Sequence, residues 1–355
     1  MPTPVPRRRF LGQSVATVAV LAAPAVATAS RTRAEVIIGE GDYKYRVNHA
    51  FAKLPDKFTW QTTHNVALDK AGNLYVIHEG RRDLKDHPAI FVFDAAGAFI
   101  RAFGSQFQGG GHGLEVRDEG GTEFLYVTGY QQVKSFAKMT LVGETVWYRK
   151  APMESGLYSA GEDTSTEATW TRQGFLPTNF AFLDDGGFLL ADGYGTFCIH
   201  RYDKDAKWIS SFGGAGEGQG KFNTAHGLWI DRRPGREPSI VVTDRAHDTL
   251  QIFDMDGVYK ETLTGFGLPA NVDTWQNLML VPELKARLSL LNEKNEVVAR
   301  LGNSATATVE NLRGKPDAWV DGEFVHPHDA CFAANGDIFV AEWVATGRVT
   351  KLERV

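Results

Sequence analysis

The chain has 355 residues, of which 43% are hydrophobic, and a formal net charge of −5. This apolar content is sufficient for a full hydrophobic core. The net charge is weakly negative, whereas nucleic-acid-binding proteins usually carry an excess of basic residues, so we expect no nucleic-acid partner. Two cysteines, Cys198 and Cys331, exclude a disulfide scaffold; they could be free thiols or form a single bridge.

The N-terminus has the pattern of an export signal. An arginine cluster in "PRRRFLG" is followed by the apolar run "SVATVAVLAAPAVA", and small residues at Ala27–Ala29 offer a cleavage site. This is typical of a twin-arginine signal peptide, which we assign to residues 1–29. The apolar run is short for a membrane span, so we expect no stable membrane insertion after cleavage; an uncleaved anchor is the alternative. The mature protein, 30–355, is then periplasmic or secreted.

Residues 30–355 contain a repeated strand pattern. "HNVALDKAGNLYVIHEG" (64–80) has two strands around an Asp-x-x-Gly-Asn turn, and "IFVFDAAGAFIRAFG" (90–104) continues with two more. Similar segments follow as "HGLEVRDEGGTEFLYVTGY", "NFAFLDDGGFLLADGYG", "HGLWIDRRPGREPSIVVTDRAHDTLQIF", "NVDTWQNLMLVPELKARLSLLNEKNEVVARLG" and "HDACFAANGDIFVAEWVATGRVTKLERV". Six copies of a four-stranded unit predict an all-β, six-bladed β-propeller in one domain.

The two ends of the chain are predicted to close this ring. The last copy stops at "TKLERV" after three strands and lacks its outermost strand. The segment "YKYRVNHAF" (43–51) precedes the first innermost strand and can supply the missing one, which removes an open sheet edge. A β-sandwich, the alternative architecture, explains neither the repeat period nor the missing strand.

The residues that begin the six innermost strands bear on function, because these strands border the central channel of a propeller. In chain order they are His64, His112, Asn179, His226, Asn271 and His328. Blades two, four and six carry histidine, and alternate blades can place three imidazoles around one point on the axis. Three histidines with an open fourth position are a catalytic zinc ligand set, although they could instead line a polar tunnel. The role of His64 stays open between fourth ligand, support behind the ligands, substrate contact and tunnel lining.

Two further residues stand where second strands end at the same mouth: Tyr194 in "ADGYGT" and Arg245 in "VTDRAHD". A tyrosine near a metal can transfer protons, and an arginine can hold a substrate carboxylate through two parallel hydrogen bonds. Arg81 and Arg82 in "HEGRRDL" could also reach over the mouth. The alternative is that the first pair packs between blades and the second pair is solvated.

These motifs resemble a known family. "FLPTNFAF", "ADGYGT", "FGGAGEGQGKFNTAHGLWID" and "VTDRAHDTLQIF" are similar to the catalytic core of peptidyl-α-hydroxyglycine α-amidating lyase, and "GHGLEVRDEGGTEFLYVTGY" and "PHDACFAANGDIFVAE" to two of its blades. The resemblance spans most of residues 60–350 and is strongest over 175–255. It implies an NHL-repeat β-propeller enzyme with zinc, or another divalent transition metal, bound by His112, His226 and His328.

The same resemblance implies further roles. Tyr194 matches the family's catalytic tyrosine, and Arg245 matches an arginine that acts in catalysis and binds substrate. A structural Ca²⁺ is implied at Asp329 and at the backbone carbonyls of Leu114 and Val66. That aspartate could instead orient the neighbouring histidine.

The chain departs from the family around the substrate. The family's arginine on the first blade has no clean match, which makes Arg81 and Arg82 displaced candidates, and His64 is unexpected at its position. The family's disulfide pattern is absent. A segment at 148–174, rich in Glu, Ser and Thr, could be a lid or a disordered loop.

The expected function is that of an exported metal-dependent lyase that cleaves a C–N bond at a hydroxylated carbon, giving an amide and a glyoxylate-like product. The substrate is a small molecule or peptide with a carboxylate, contacted by the three arginines and by His64, Asn179 and Asn271. Two alternatives belong to other classes: another metal-dependent propeller enzyme, such as a hydrolase, sugar lyase or isomerase, and a binding propeller without catalysis.

Overall fold

The repeats form separate antiparallel sheets, which a computed structural model describes for residues 1–3, 35–302 and 309–355. Each repeat gives one sheet of four strands, and the six sheets are the blades of a β-propeller, so the predicted fold class is confirmed. Residues Glu35–Val355 form one compact unit. The predicted signal peptide, apart from residues 1–3, lies outside the described residues.

Two short strands, β1 (Ile37–Ile38) and β2 (Tyr45–Asn48), precede the blades. Blade 1 contains β3 (Thr63–Leu68), β4 (Leu74–His78), β5 (Ile90–Phe93) and β6 (Phe99–Phe103). Blade 2 contains β7 (Gly111–Glu119), β8 (Thr122–Gly129), β9 (Ser135–Thr140) and β10 (Thr145–Arg149). Blade 3 contains β11 (Phe180–Phe182), β12 (Phe188–Ala191), β13 (Cys198–Tyr202) and β14 (Trp208–Gly213).

Blade 4 contains β15 (Ala225–Asp231), β16 (Ser239–Asp244), β17 (Thr249–Phe253) and β18 (Tyr259–Leu263). Blade 5 contains β19 (Asp273–Trp275), β20 (Leu278–Glu283), β21 (Arg287–Leu291) and β22 (Val297–Gly302). Blade 6 contains β23 (Pro327–Phe332), β24 (Ile338–Glu342) and β25 (Arg348–Arg354).

Helices in the described ranges are single 3-10 turns. They are Ser105–Phe107, Met153–Ser155, Arg245–His247, Val309–Leu312 and Pro316–Ala318. In this part of the chain, no helix has the length and apolar character needed to cross a membrane.

Apolar side chains alternate between the two faces of each blade, and both faces are buried. In β4, Tyr75 and Ile77 pack toward blade 2, whereas Leu74 and Val76 pack toward blade 6. The same arrangement recurs around the ring, so that a separate apolar cluster fills the space between every pair of neighbouring blades. Successive side chains of a strand therefore pack alternately into the two apolar cores on either side of the blade, rather than into one core and solvent.

The N-terminal segment closes the ring as predicted. Strand β2 pairs antiparallel with β25, from Tyr45 opposite Arg354 to Asn48 opposite Lys351. The Tyr45 side chain is fully buried in the cluster between blades 5 and 6. A finding beyond the prediction is that β1 pairs with β2, which makes the sixth sheet five-stranded.

Cys198 on β13 and Cys331 on β23 are both free. They belong to blades 3 and 6, so the alternative of a single bridge between them is not realised. Burial raises the pKa of both thiols, which disfavours the reactive thiolate.

Candidate metal centre and active site

A β-bulge lies at each of the four histidines at the channel. The register with the second strand shifts at His64, His112, His226 and His328. The innermost strands of blades 3 and 5, which follow asparagines, pair without such a shift. A bulge leaves one residue out of the ladder and redirects its side chain. The histidine blades thus share a local backbone distortion as well as a residue type.

Three of these histidines are anchored through Nδ1 to the innermost strand region of the next blade. The acceptors are the carbonyl oxygens of Thr178 for His112 (3.0 Å), Ala270 for His226 (2.6 Å) and His64 for His328 (2.8 Å). A carbonyl oxygen can only accept, so Nδ1 carries the proton in each neutral ring. Nε2 is therefore left with a free lone pair.

A glycine after the histidine lets the neighbouring blade approach this closely. A Cβ atom at Gly113 would overlap the carbonyl oxygen of Thr178, the acceptor of the imidazole proton. Thr128 on β8 completes the arrangement, because its hydroxyl accepts from Gly113 N at 2.7 Å and donates to Thr178 O at 2.8 Å. Gly227 and Thr243 repeat the pattern in blade 4. The sequence analysis missed these residues, whose signal was the recurring "HG" and "VT" pairs.

The three imidazoles converge on one place in the channel. Ring centroids are 4.9 Å apart for His112 and His226, 4.7 Å for His226 and His328, and 5.0 Å for His112 and His328. Nε2 of His112 and Nε2 of His226 are 3.2 Å apart. Among the described residues, Nε2 of His328 has no hydrogen-bond partner. The structure therefore brings together the three histidines that the sequence predicts to share a site.

The protonation state of these rings suits a bound cation. Burial is the main cause that holds the pKa of His112, His226 and His328 well below the usual value, and the charges of the other histidines and of Arg245 lower it further. The three rings are therefore neutral. Buried acceptors without partners cost roughly 1–3 kcal/mol each. Two imidazoles bound to one ion, with metal–nitrogen bonds of 2.0–2.1 Å and a nitrogen–metal–nitrogen angle of about 90–110°, would have ring centroids about 4.5–5.2 Å apart. All three observed centroid spacings fall in this range. The residues thus fit a divalent transition metal.

Tyr194 and Arg245 lie over the same histidines. The phenol oxygen of Tyr194 is 2.9 Å from Nε2 of His226 and 3.2 Å from Nε2 of His112. Nη1 of Arg245 donates to that oxygen at 3.0 Å, and the guanidinium carbon lies 5.0 Å from the centre of the Tyr194 ring. Burial raises the pKa of Tyr194, whereas the guanidinium opposes this rise. The phenol is therefore protonated at neutral pH, and its single proton can be donated to either of the two imidazole nitrogens, one at a time.

The turn that carries Tyr194 is fixed by a buried carboxylate. Asp192 accepts from Leu176 N at 2.7 Å through Oδ1, and from Thr196 N at 2.8 Å and Thr196 Oγ1 at 2.7 Å through Oδ2. A Cβ atom at Gly195 would overlap Oδ1 of Asp192, so the turn requires glycine there. The motif "ADGYGT" is thus a rigid support that presents the phenol to the channel.

His64 is buried beside the cluster and pairs with a residue that the sequence analysis missed. Its ring centroid lies 4.8 Å from that of His112 and 4.6 Å from that of His328. Its Nε2 lies 3.3 Å from Oε2 of Glu79, at the end of the second strand of blade 1. Glu79 directly follows the second strand of its blade, as Arg245 does in blade 4, whereas Tyr194 lies two residues further along its loop. A charged side chain directly after the second strand, in "VIHEG" and "VTDRA", was the available signal.

The segment at 148–174 is held against the mouth by defined contacts, which favours the lid alternative over a disordered loop. Glu162 forms a buried ion pair with Lys134 of blade 2 at 2.6 Å and accepts from Phe175 N at 2.9 Å. Trp170 on this segment lies 5.9 Å from the Tyr194 ring and 6.1 Å from the Tyr130 ring, yet its side chain is 55% exposed. An exposed indole beside the phenol offers an apolar surface to a ligand.

The structure does not join Arg81 and Arg82 to the histidine cluster. Both side chains are exposed, and they pair with Asp83 and Glu167 respectively. Arg313, from the segment before blade 6, acts electrostatically on His64 instead: burial is the main cause that lowers the pKa of His64, Glu79 opposes it, and the charge of Arg313 adds a smaller lowering. Its guanidinium stacks on the Trp343 ring at 3.5 Å. Sequence analysis could not find Arg313 because its segment lies outside the repeats.

Asn179 and Asn271 bond to each other and to acidic residues rather than to the histidines. Nδ2 of Asn179 donates to Asn271 Oδ1 at 2.9 Å and to Glu115 Oε1 at 3.2 Å. Nδ2 of Asn271 donates to Oδ1 of Asp329 at 2.5 Å, and Oδ2 of Asp329 accepts from Val66 N at 2.8 Å. The predicted calcium residue Leu114 is buried between blades 1 and 2.

Three carboxylates line a cavity of about 160 Å³ together with Asn271: they are Glu115, Asp273 and Asp329. Burial is the main cause that raises the pKa of Asp329 to about 7 and that of Asp273 to about 6. Burial is also the main cause that holds the pKa of Glu115 well above its usual value. The negative charges of the neighbouring carboxylates raise the pKa of Asp329 and Glu115 further. Such a set favours either bound protons or a cation with oxygen ligands.

Comparisons with known proteins support the fold. No family model matches the chain. No curated protein matches it either. Among solved structures it is similar to streptogramin B lyase, with a TM-score of 0.54, 10% identity, and 88% of this chain and 99% of that chain covered. It is also similar to selenomethionine-substituted virginiamycin B lyase from Staphylococcus aureus, with a TM-score of 0.54, 9% identity, and 88% and 100% covered.

A catalytically inactive variant of the latter enzyme with Quinupristin gives a TM-score of 0.53 at 11% identity, with 88% of this chain and 100% of that chain covered. At these identities the likeness is one of fold, and the chemistry of this chain has to be argued from its own residues.

Proposed function

We propose that the protein is a metal-dependent lyase of the peptidyl-α-hydroxyglycine amidating type. Its metal, zinc or another divalent transition ion, is held by His112, His226 and His328. The observation that carries the proposal is the convergence of three imidazoles whose Nδ1 protons are all bound to backbone carbonyls, beneath the phenol of Tyr194. A ligand set of three histidines with a remaining open position is the pattern of catalytic zinc.

The reaction converts an N-acyl-α-hydroxyglycine into an amide and glyoxylate. The C–N bond breaks, the hydroxyl oxygen becomes a carbonyl oxygen, and the proton lost by the hydroxyl is matched by one gained by the departing nitrogen. No water is consumed. A bound metal supplies Lewis acidity toward the substrate hydroxyl.

Tyr194 serves as the proton carrier for this exchange. Because burial keeps its phenol protonated, the phenol donates its proton to the departing amide nitrogen and takes up the hydroxyl proton, returning to its starting state. Arg245 stabilises the transient phenolate, since Nη1 already donates to the phenol oxygen at 3.0 Å. The two residues thus act as one unit.

Substrate recognition follows from the groups around the mouth. Among the described residues, Tyr194 is the only hydrogen-bond acceptor of the Arg245 guanidinium, so its other N–H groups are available for a substrate carboxylate. Trp170 and Tyr130 offer aromatic surfaces for the acyl part of the substrate. We therefore propose a small acylated or peptide substrate that ends in a carboxylate.

We also propose that the carboxylate cavity below the histidines holds Ca²⁺. Asp329, Glu115 and Asp273 supply the negative oxygens. Calcium takes six to eight oxygen ligands, including backbone carbonyls such as those expected at Val66 and Leu114. The raised carboxyl pKa values support the proposal, because a cation would allow these groups to ionise.

We further propose that the chain is exported by the twin-arginine route and acts in the periplasm or outside the cell, on the basis of residues 1–29. Fusing residues 1–29 to a reporter that folds before export tests this, with the two-residue change Arg8→Lys and Arg9→Lys as a control. Export of the fusion and its loss in the control are expected; export that survives the control contradicts the proposal.

The function is tested by metal analysis followed by an activity assay. Protein purified without chelator is expected to contain one transition metal per chain and to release glyoxylate and the amide in equal amounts from an N-acyl-α-hydroxyglycine. The controls are chelator-treated protein and Tyr194→Phe. Absence of any transition metal would favour a binding propeller. Metal without glyoxylate would overturn the lyase in favour of another metal-dependent reaction.

A further inference from the structure

His64 has one ring nitrogen without a partner, although its side chain is only 1% exposed. Nε2 is engaged with Glu79, and Nδ1 has no hydrogen-bond partner in the described part of the chain. An imidazole nitrogen buried in this way is costly unless something binds its lone pair. The same condition is found at Nε2 of His328, the neighbouring ring.

Glu79 fixes which nitrogen of His64 is free. Its carboxylate can only accept, so Nε2 carries the proton and Nδ1 holds the lone pair. Glu79 is itself held, because Gln131 Nε2 donates to its other oxygen at 2.6 Å. A carboxylate that binds the far side of an imidazole is the usual support of a metal-ligating histidine.

The position of His64 relative to the other rings is that of a ligand. One ring nitrogen each of His64, His112 and His328 lie within 4.8 Å of one another. The centroid spacings of His64 to these two rings, 4.8 and 4.6 Å, match those among the other three histidines, which run from 4.7 to 5.0 Å. His64 therefore lies against the His112–His328 pair at the same spacing as His226 does.

The geometry points to His64 as a fourth nitrogen ligand of the metal centre, held in its ligating tautomer by Glu79. This inference rests on the metal of the proposed function but not on the lyase reaction. It gives the site one imidazole more than the three of the proposed function, so a substrate would enter as a fifth ligand, at the side of Tyr194, whose phenol contacts His112 and His226. A centre of this kind binds its metal more tightly than three histidines would.

Metal affinity and coordination test the inference without any activity assay. Zn²⁺ affinity is measured by competition with a chelator, and the visible absorption of the Co²⁺-loaded protein reports the coordination number, because it strengthens as that number falls. For His64→Phe we expect a 10–100-fold loss of Zn²⁺ affinity and a stronger Co²⁺ absorption than in the unaltered protein. His326→Gln is the matched control, since this histidine lies two residues from a ligand and bonds to Leu284 O.

Positioning by Glu79 is tested by a pair of variants. Glu79→Ala is expected to weaken Zn²⁺ binding by about 10-fold or more, as loss of such a support usually does, whereas Glu79→Gln keeps an acceptor oxygen and should restore most of the affinity. Circular dichroism of the metal-free proteins verifies folding.

The outcomes separate this inference from the proposed function. If the unaltered protein binds metal and His64→Phe has the same affinity and the same Co²⁺ spectrum, the fourth ligand is refuted while the three-histidine lyase stands. If the affinity falls as expected but no glyoxylate is formed by the unaltered protein, the fourth ligand stands and the lyase does not. If the unaltered protein binds neither ion, both are refuted.

Discussion

Nη1 of Arg245 donates a 3.0 Å hydrogen bond to the phenol oxygen of Tyr194, although the two residues come from different blades. Both stand in the loop between the second and third strands, Tyr194 after β12 and Arg245 after β16. Burial raises the pKa of the phenol and the guanidinium opposes it, so the balance between them sets how readily Tyr194 gives up its proton. The proposed proton carrier and the proposed carboxylate-binding group are thus joined by one hydrogen bond.

Tyr194→Phe should lower kcat by roughly 10²–10⁴-fold, the range for loss of a positioned acid–base group. Metal content should stay unchanged, because the phenol lies beside the histidines without replacing any of their anchoring bonds. Steady-state kinetics and metal analysis of the same preparation measure both quantities. Tyr126→Phe, which removes a hydroxyl bonded to Glu119 within blade 2, is the control. Loss of metal in Tyr194→Phe would contradict the role assigned to it.

Arg245→Gln should raise KM and lower kcat together, because one guanidinium serves both the carboxylate and the phenol. Loss of a charged hydrogen bond costs roughly 1.5–3 kcal/mol, or about 10–150-fold in kcat/KM. With a substrate in which an amide replaces the carboxylate, the difference in KM between the two proteins should disappear, whereas the difference in kcat that acts through the phenol should remain. Equal discrimination against that substrate by both proteins would show that the carboxylate binds elsewhere. Arg82→Gln, an exposed rim arginine, should leave kcat/KM within about twofold.

His226→Ala should lower the transition-metal content of the dialysed protein, because it deletes one of the imidazole nitrogens proposed to bind the ion. His326→Gln should keep full metal content, although His326 is also largely buried near the same mouth. Elemental analysis after dialysis compares the two variants. Metal retained at full stoichiometry by His226→Ala would exclude it from the ligand set.

Calcium should stabilise the protein at pH 8 and have little effect at pH 5. The pKa of Asp329 is raised to about 7 and that of Asp273 to about 6 in the fold, above their ordinary value of 3.8. The folded state therefore holds protons that the unfolded chain releases, and without a cation stability falls as pH rises from about 4 to 7. Above pH 7 we expect the ionised cavity to bind Ca²⁺, and at low pH we expect protons to displace it.

Thermal unfolding with and without Ca²⁺ measures this dependence. Asp329→Asn should abolish the calcium effect and reduce the loss of stability on raising the pH. Asp184→Asn, at a side chain that is 83% exposed, is the control. A calcium effect of equal size at pH 5 and pH 8 would contradict the assignment.

Tyr45→Ala should destabilise the closed ring by about 3–5 kcal/mol, the cost of removing a large buried aromatic side chain. Tyr45 is fully buried where β2 meets the last blade. Ile37→Ala, on the added edge strand β1 at 49% exposure, should cost less than about 1 kcal/mol. Chemical denaturation measures both values. Similar costs for the two variants would mean that closure does not depend on β2.

Much of the site was predictable because it follows the repeat. The positions of His112, His226 and His328 at the starts of innermost strands suffice to place them around the axis once the propeller is recognised. Glu79 and Thr128 also occupy repeat positions, but their residue types differ from blade to blade or are common in strands. Only their contacts distinguish them.

Other parts were not predictable, since they depend on segments outside the repeat. Arg313 reaches the neighbourhood of His64 from an inter-blade segment whose path no periodicity describes. Asn179 and Asn271 do share the strand-start position of the histidines, but their contacts with Glu115 and Asp329 join different blades, and no repeat pattern within one blade describes such contacts.

By itself the sequence determined the all-β class, the six repeats, the closing strand and the residues at the channel, because alternation of period two and recurring turns are local properties of the chain. The tertiary structure alone decided which imidazole nitrogens are free, that Tyr194 and Arg245 share one hydrogen bond, and that three acidic residues meet in one cavity. These are contacts between blades, and their distances depend on how separate sheets pack around the axis rather than on any pattern within one sheet.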